Sequence, residues 1–171
     1  MTRFVALLRG VSPMNLKMPD LKRCLEKAGY TNVKTILSSG NVAFDTRSRS
    51  ESALGSAIEK AMQQDLGRTF PVIVRSSQFL QDLVASDPFS RYSFPAGAKR
   101  VVTFLRDKPK TKVSLPIEAE GAKILAVDGL EVLTAYVPGP KGGAFMGVIE
   151  KAFGKDVTTR TWETVMKCAK A

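Results

Sequence analysis

Phe4 to Leu8 is an unbroken apolar run, the pattern of a short strand covered on both faces, and it predicts a strand over Arg3–Arg9. Gly10 to Lys17 interrupts it with Pro13 and Asn15 and reads as loop. A helix is predicted from about Pro19, with Met18, Leu21, Leu25 and Ala28 on one face, Asp20 near the positive helix end and Gly29 as the stop. Asn32–Leu37 and Asn41–Phe44 read as short strands around the turn at Ser38, Ser39, Gly40 and Asn41. Ser50 or Ser52 can cap the next helix, which places Leu54, Ile58 and Met62 together and ends about Gly67. Phe70–Val74 is a further apolar strand after a turn containing Arg68.

That order is β-α-β-β-α-β, the ferredoxin-like unit. Its antiparallel sheet would place the first strand between the third and fourth. Arg9, Gly10, Asn15, the Ser38–Asn41 turn and Arg68 are then expected at one edge.

Beyond it, Ser76 or Ser77 caps a short helix carrying Phe79, Leu80, Leu83 and Val84, stopped before Pro88. Residues 88–99, with Pro88, Pro95 and Gly97, look like a joint. The expected domains are 1–88 and 89–171, two halves sharing one core. Val101–Leu105 reads as a strand, Arg106–Lys112 as a polar connection, and Lys123–Val127 and Glu131–Val137 as a hairpin turning at Asp128–Gly129. Lys141–Gly142–Gly143 leads into a helix with Met146, Ile149 and Phe153 inward. A last helix is predicted from about Thr159, capped by Thr158 and Thr159 and burying Trp162, Val165, Met166 and Ala169. The second half thus resembles a degenerate copy of the first, with only Asp156–Thr159 available as its closing strand.

The 171 residues are 44% hydrophobic, enough for one sizeable core or two small ones. The net charge of +10 divides into +4 over residues 1–88 and +6 over 89–171, so it forms no basic tail. Such a balance favours anionic partners. The chain has no histidine, which removes Ser-His-Asp and Cys-His catalysis and His-ligated zinc. Cys24 and Cys168 form no disulfide framework or metal spacing. No apolar stretch approaches the ~20 residues needed to span a bilayer. A cytoplasmic, soluble protein with no cofactor, no metal and no membrane partner is expected.

Two motifs carry a family resemblance. Ala6–Gly10, Lys17–Leu21 and Ser39–Phe44, followed late in the chain by Thr158–Trp162 and Thr164–Lys167, resemble the two signatures of domain-of-unknown-function family 1697. The resemblance implies an α+β protein of two ferredoxin-like halves, mostly bacterial, with no established activity. The chain departs from the usual pattern at Val11–Asn15 and at Thr161.

Arg9 at a strand end presents a planar fork suited to phosphate or carboxylate; equally, it can bond the carbonyls of the facing turn. Arg160, expected in the first turn of the last helix and so opposed to its dipole, hints at an anionic partner. The candidate ligand-binding set is Arg9, Gly10, Asn15, Ser38, Ser39, Gly40, Asn41, Arg68 and Arg160. No reaction follows from these residues. A small anionic, possibly phosphorylated, metabolite is the favoured ligand. The alternatives are weak nucleic-acid binding through the basic surface, or a non-catalytic scaffold for protein interaction. An open stacking platform for RNA lacks its aromatics, since only Phe44 is available on the third strand.

Overall fold

A computed structural model describes residues 1–109, 113–119, 121–139 and 145–171. It divides into two units, Met1–Ala85 with Met166–Ala171, and Ser86–Val165. The architecture is mixed α+β, with two antiparallel sheets and five helices among the described residues.

In the first unit the chain runs β1 (Thr2–Leu8), α1 (Met18–Lys27), β2 (Thr31–Ile36), β3 (Asn41–Thr46), α2 (Glu51–Leu66), β4 (Val72–Ser76) and α3 (Ser77–Ser86). The strands are ordered β2-β3-β1-β4, so β1 does lie between β3 and β4, antiparallel to both. Alternate residues Phe4, Ala6, Leu8, Val42, Phe44 and Val74 join Leu21 and Leu25 of α1 and Leu54, Ile58 and Met62 of α2 in one core. Each large side chain buried there contributes about 1.5–3 kcal/mol. The intervening positions Val5, Leu7, Ala43 and Ile73 are buried as well, which explains why β1 is apolar without alternation.

Local chemistry sets the element ends. Ser50 Oγ accepts from Ala53 N at 3.1 Å and caps α2, and Gly67 ends that helix in the left-handed region at φ 70°. Ser76 Oγ accepts from Phe79 N at 3.1 Å, so Ser76 is the cap of α3. Leu37 belongs to the β2–β3 turn and not to β2, with φ 59°.

The second unit opens with a 3-10 turn over Pro88–Arg91, then β5 (Lys99–Leu105), β6 (Ile117–Ala119), β7 (Ala122–Asp128), β8 (Glu131–Tyr136), α4 (Phe145–Phe153), β9 (Val157–Thr161) and α5 (Trp162–Ala169). Its strand order is β6-β7-β8-β5-β9. Val101, Leu105, Ile124, Val132, Ile149 and Val157 form its core. Phe89 meets Trp162 edge-on at 5.2 Å, and Tyr136 stacks on Phe145 at 4.4 Å. The expected hairpin forms, but its two-residue turn is Gly129–Leu130, because Asp128 still belongs to β7 and pairs with Glu131. Lys110, Lys112 and the Lys141–Gly143 junction lie outside the described residues.

Two expectations are corrected here. Strand β6 had no counterpart in the sequence reading. The last helix starts at Trp162, so Thr158 and Thr159 do not cap it and Arg160 is not in its first turn. Instead Val157–Thr161 pairs along β5, with Thr159 Oγ1 and Thr103 Oγ1 2.7 Å apart. A run of β-branched residues beside an available strand edge favours the ladder over the cap.

Candidate functional site

The end of β1 is fixed by backbone bonds to both neighbours. Leu8 N donates to the Gly40 carbonyl at 2.8 Å, and Arg9 N donates to the Pro71 carbonyl at 2.9 Å. Gly40 has φ 89°, and a Cβ added there would stand 3.0 Å from both Leu8 Cβ and Val11 Cβ. Only glycine combines that backbone conformation with so close an approach.

The loop after β1 is organised by Asn15. Its Oδ1 accepts from Ser12 N at 2.9 Å, and its Nδ2 donates to the Gly10 carbonyl at 2.8 Å. From the α2–β4 connection, Arg68 Nη1 donates to the Asn15 carbonyl at 2.8 Å. The two loops are thereby tied across the sheet edge.

Between them lies an open cleft of about 280 Å3, lined by Pro13, Asn15, Lys17, Asp20, Leu66 and Arg68 among others. It sits at the N-terminal end of α1, where Lys17 occupies the cap position without capping through its side chain. The dipole of α1 therefore adds its partial positive charge to the cations Lys17 and Arg68. Asp20 is paired with Arg23, which reduces its repulsion of an incoming anion. An anion is the ligand this field suits.

The structure brings Arg9, Gly10, Asn15, Gly40 and Arg68 to one edge. Of the expected set only Asn15 and Arg68 line the cleft; Arg9, Gly10 and Gly40 lie along the edge outside it, and Ser38 and Ser39 are exposed on the adjoining turn. Asn41 is fully buried, donating from Nδ2 to the Ile36 carbonyl at 3.0 Å and to Ser39 Oγ at 3.1 Å, so it closes the turn from inside. Arg160 belongs to the second unit, where it is buried on β9 and donates from Nη1 to Thr158 Oγ1 at 2.7 Å and the Thr159 carbonyl at 2.9 Å. Lys17 and Leu66 were missed by sequence reasoning. The signal for Lys17 was its position immediately before the Met18–Pro19–Asp20 helix start.

Other ionisable groups have local explanations. Burial, and then the Asp65 charge, push the Cys24 thiol up. Asn32 and Arg3 hold the Asp45 carboxyl below its ordinary value, through bonds of 2.7 and 2.8 Å. Both cysteines are buried, and neither is in a disulfide. Among the described residues no helix is long and apolar enough to cross a membrane.

The model of the family described as "Protein of unknown function (DUF1697)" matches residues 1–131, which include β1, the Asn15 loop and the Gly40 turn. The chain belongs to that family. The solved structure of the conserved bacterial protein SP0830 from Streptococcus pneumoniae resembles this DUF1697 chain with a TM-score of 0.70 at 17% identity, covering 99% of this chain and 97% of that one. At that identity the likeness speaks for the fold alone. No curated protein matches this DUF1697 chain.

Proposed function

We propose that this DUF1697 protein binds a small anion, through a phosphate or carboxylate group, at the edge formed by the end of β1 and the α2–β4 connection. The observation that carries this reading is the cleft in which Lys17 and Arg68 flank the N-terminal end of α1. The loop that follows Arg9 reaches the cleft through Asn15, which donates to the Gly10 carbonyl. The net charge of +10 assists capture of an anion by raising its local concentration. We read the first unit as ferredoxin-like, which its strand order β2-β3-β1-β4 supports. We read the second as a related, degenerate copy, which the order β7-β8-β5-β9 supports.

The test is calorimetric titration and thermal shift with inorganic phosphate and with phosphorylated and carboxylate metabolites. Arg68→Ala and Lys17→Ala should each weaken a hit by about tenfold, the worth of one charge-assisted bond. No hit with the wild-type protein, or a hit indifferent to both variants, would defeat the reading. Sub-micromolar affinity for a random oligonucleotide at physiological salt would put nucleic acid in its place, because charge-driven binding weakens steeply with salt.

A further inference from the structure

Asn32, Leu37 and Asp87 are the described residues other than glycine with positive φ. Asn and Asp tolerate the left-handed region, whereas a bulky apolar residue is strained there. Leu37, at φ 59°, is also 49% exposed. Its backbone and its side chain therefore both count against folding stability. The conformation is nonetheless held firmly from both sides. Asn41 Nδ2 donates to the carbonyl of the preceding Ile36 at 3.0 Å, and Leu8 N donates to the Gly40 carbonyl at 2.8 Å. A strained residue that its surroundings over-determine points to a role outside the fold.

Met14 adds a second exposed apolar side chain on the neighbouring loop. It is 93% exposed, and its N–H donates to Ser12 Oγ at 3.2 Å. That loop packs on the turn that carries Leu37, since a Cβ on Gly40 would stand 3.0 Å from Val11 Cβ. Met14 also lines the cleft, together with Lys17 and Arg68. Leu37 follows β2 and Arg68 precedes β4, and these are the two edge strands of the sheet. Three strand spacings separate those edges, about 14 Å. A small anion does not reach across that distance, but an extended chain of about four or five residues does.

We infer that this edge docks an acidic peptide segment of a partner protein, with a carboxylate at Lys17 and Arg68 and an apolar side chain against Met14 and Leu37. The inference rests on the anion reading of the cleft and makes that carboxylate part of a longer ligand. Charge complementarity sets the partner's sign. Asp20, the acid among the lining residues, is paired with Arg23, and the chain carries +10. The same charge sets copies of this chain against one another. A lipid surface asks only for apolar side chains at loop tips, and gains nothing from a leucine pinned in one strained conformation. A peptide does gain, because a contact formed in advance loses less freedom on binding.

The experiment is an amide NMR titration of the whole chain with capped heptaglutamate peptides whose central residue is leucine or phenylalanine. Unsubstituted heptaglutamate, inorganic phosphate and phosphatidylglycerol vesicles are titrated beside them. At least one substituted peptide should give saturable shifts at Met14, Lys17, Leu37 and Arg68. It should bind about tenfold more tightly than heptaglutamate, the worth of one buried apolar side chain. Leu37→Gly should remove that advantage, keep phosphate binding and not lower the melting temperature, because glycine accepts the left-handed turn without strain. Lys17→Glu should weaken every peptide by about tenfold, while glutamate suits that end of α1 and preserves the fold. Four results would each overturn the inference: no saturable peptide shifts, equal affinity for heptaglutamate, a Leu37→Gly variant that melts lower, or binding of vesicles without peptides. Saturable phosphate shifts at Lys17 and Arg68 in the absence of peptide binding would defeat this inference alone and leave the anion reading standing. Peptide binding indifferent to both Lys17→Glu and Arg68→Ala would defeat the anion reading with it.

Discussion

Replacing Gly40 with alanine tests how tightly the β2–β3 turn is pressed against the end of β1. Two penalties are expected. A non-glycine residue at φ 89° costs about 1–2 kcal/mol in backbone energy. The new methyl would also meet Leu8 Cβ and Val11 Cβ at 3.0 Å and Val11 Cγ2 at 3.1 Å, and crowding of that kind costs about 1–3 kcal/mol. Reduced freedom of the unfolded chain returns about 0.4–1 kcal/mol. The net loss is then about 2–4 kcal/mol, or about 5–15 °C in melting temperature for a chain of this size. Gly29→Ala is the internal control: its φ is 99°, but nothing lies within 4 Å of the added Cβ, so it incurs the backbone term alone. Thermal and urea unfolding followed by far-ultraviolet circular dichroism would compare them. Because Val11 begins the loop that carries Asn15, Gly40→Ala should also weaken ligand binding at the cleft, whereas Gly29→Ala should not. Equal destabilisation by the two substitutions would refute the close-contact reasoning.

Asn41→Ala should cost about 1–3 kcal/mol, because it leaves the Ile36 carbonyl without its buried donor; a urea midpoint unchanged from wild type would contradict this. Asp45 has a folded-state pKa below its unfolded one, so its stabilising share is present above about pH 4 and is lost as pH falls through the folded value. Asp45→Asn should therefore be less stable at neutral pH and show a shallower fall in melting temperature on acidification. Ending the chain at Val165 should destabilise the first unit, since Cys168 and Ala169 are buried and the Ala171 and Ala169 carbonyls accept from Arg3 and Gln81 at 3.0 and 3.3 Å. Two lost bonds alone are worth about 2 kcal/mol, and loss of amide-exchange protection in β1 and α3 would register it.

Arg9 and Arg160 mark the boundary between what was legible in the chain and what was not. An apolar run defined β1, and helical stripes with their end signals defined α1 and α2, because each admits few ways of burying its surface. The strand order followed, since one antiparallel arrangement of β-α-β-β-α-β places β1 centrally. The meeting of Arg9, Asn15 and Arg68 was therefore implicit in residue order. Asn41 was visible only as turn chemistry; that its side chain is buried and spent on Ile36 and Ser39 depends on what covers the turn. Val157–Thr161 could begin a helix or complete a sheet on local preference. The open edge of β5, more than fifty residues earlier in the chain, decided for the strand and moved Arg160 with it. The cleft belongs to tertiary structure entirely, because Lys17 and Arg68 come to line it together only when the loop after one strand packs against the connection leading into another. Sequence separation hides such pairings, since contacts of this kind follow from chain folding and carry no local signature.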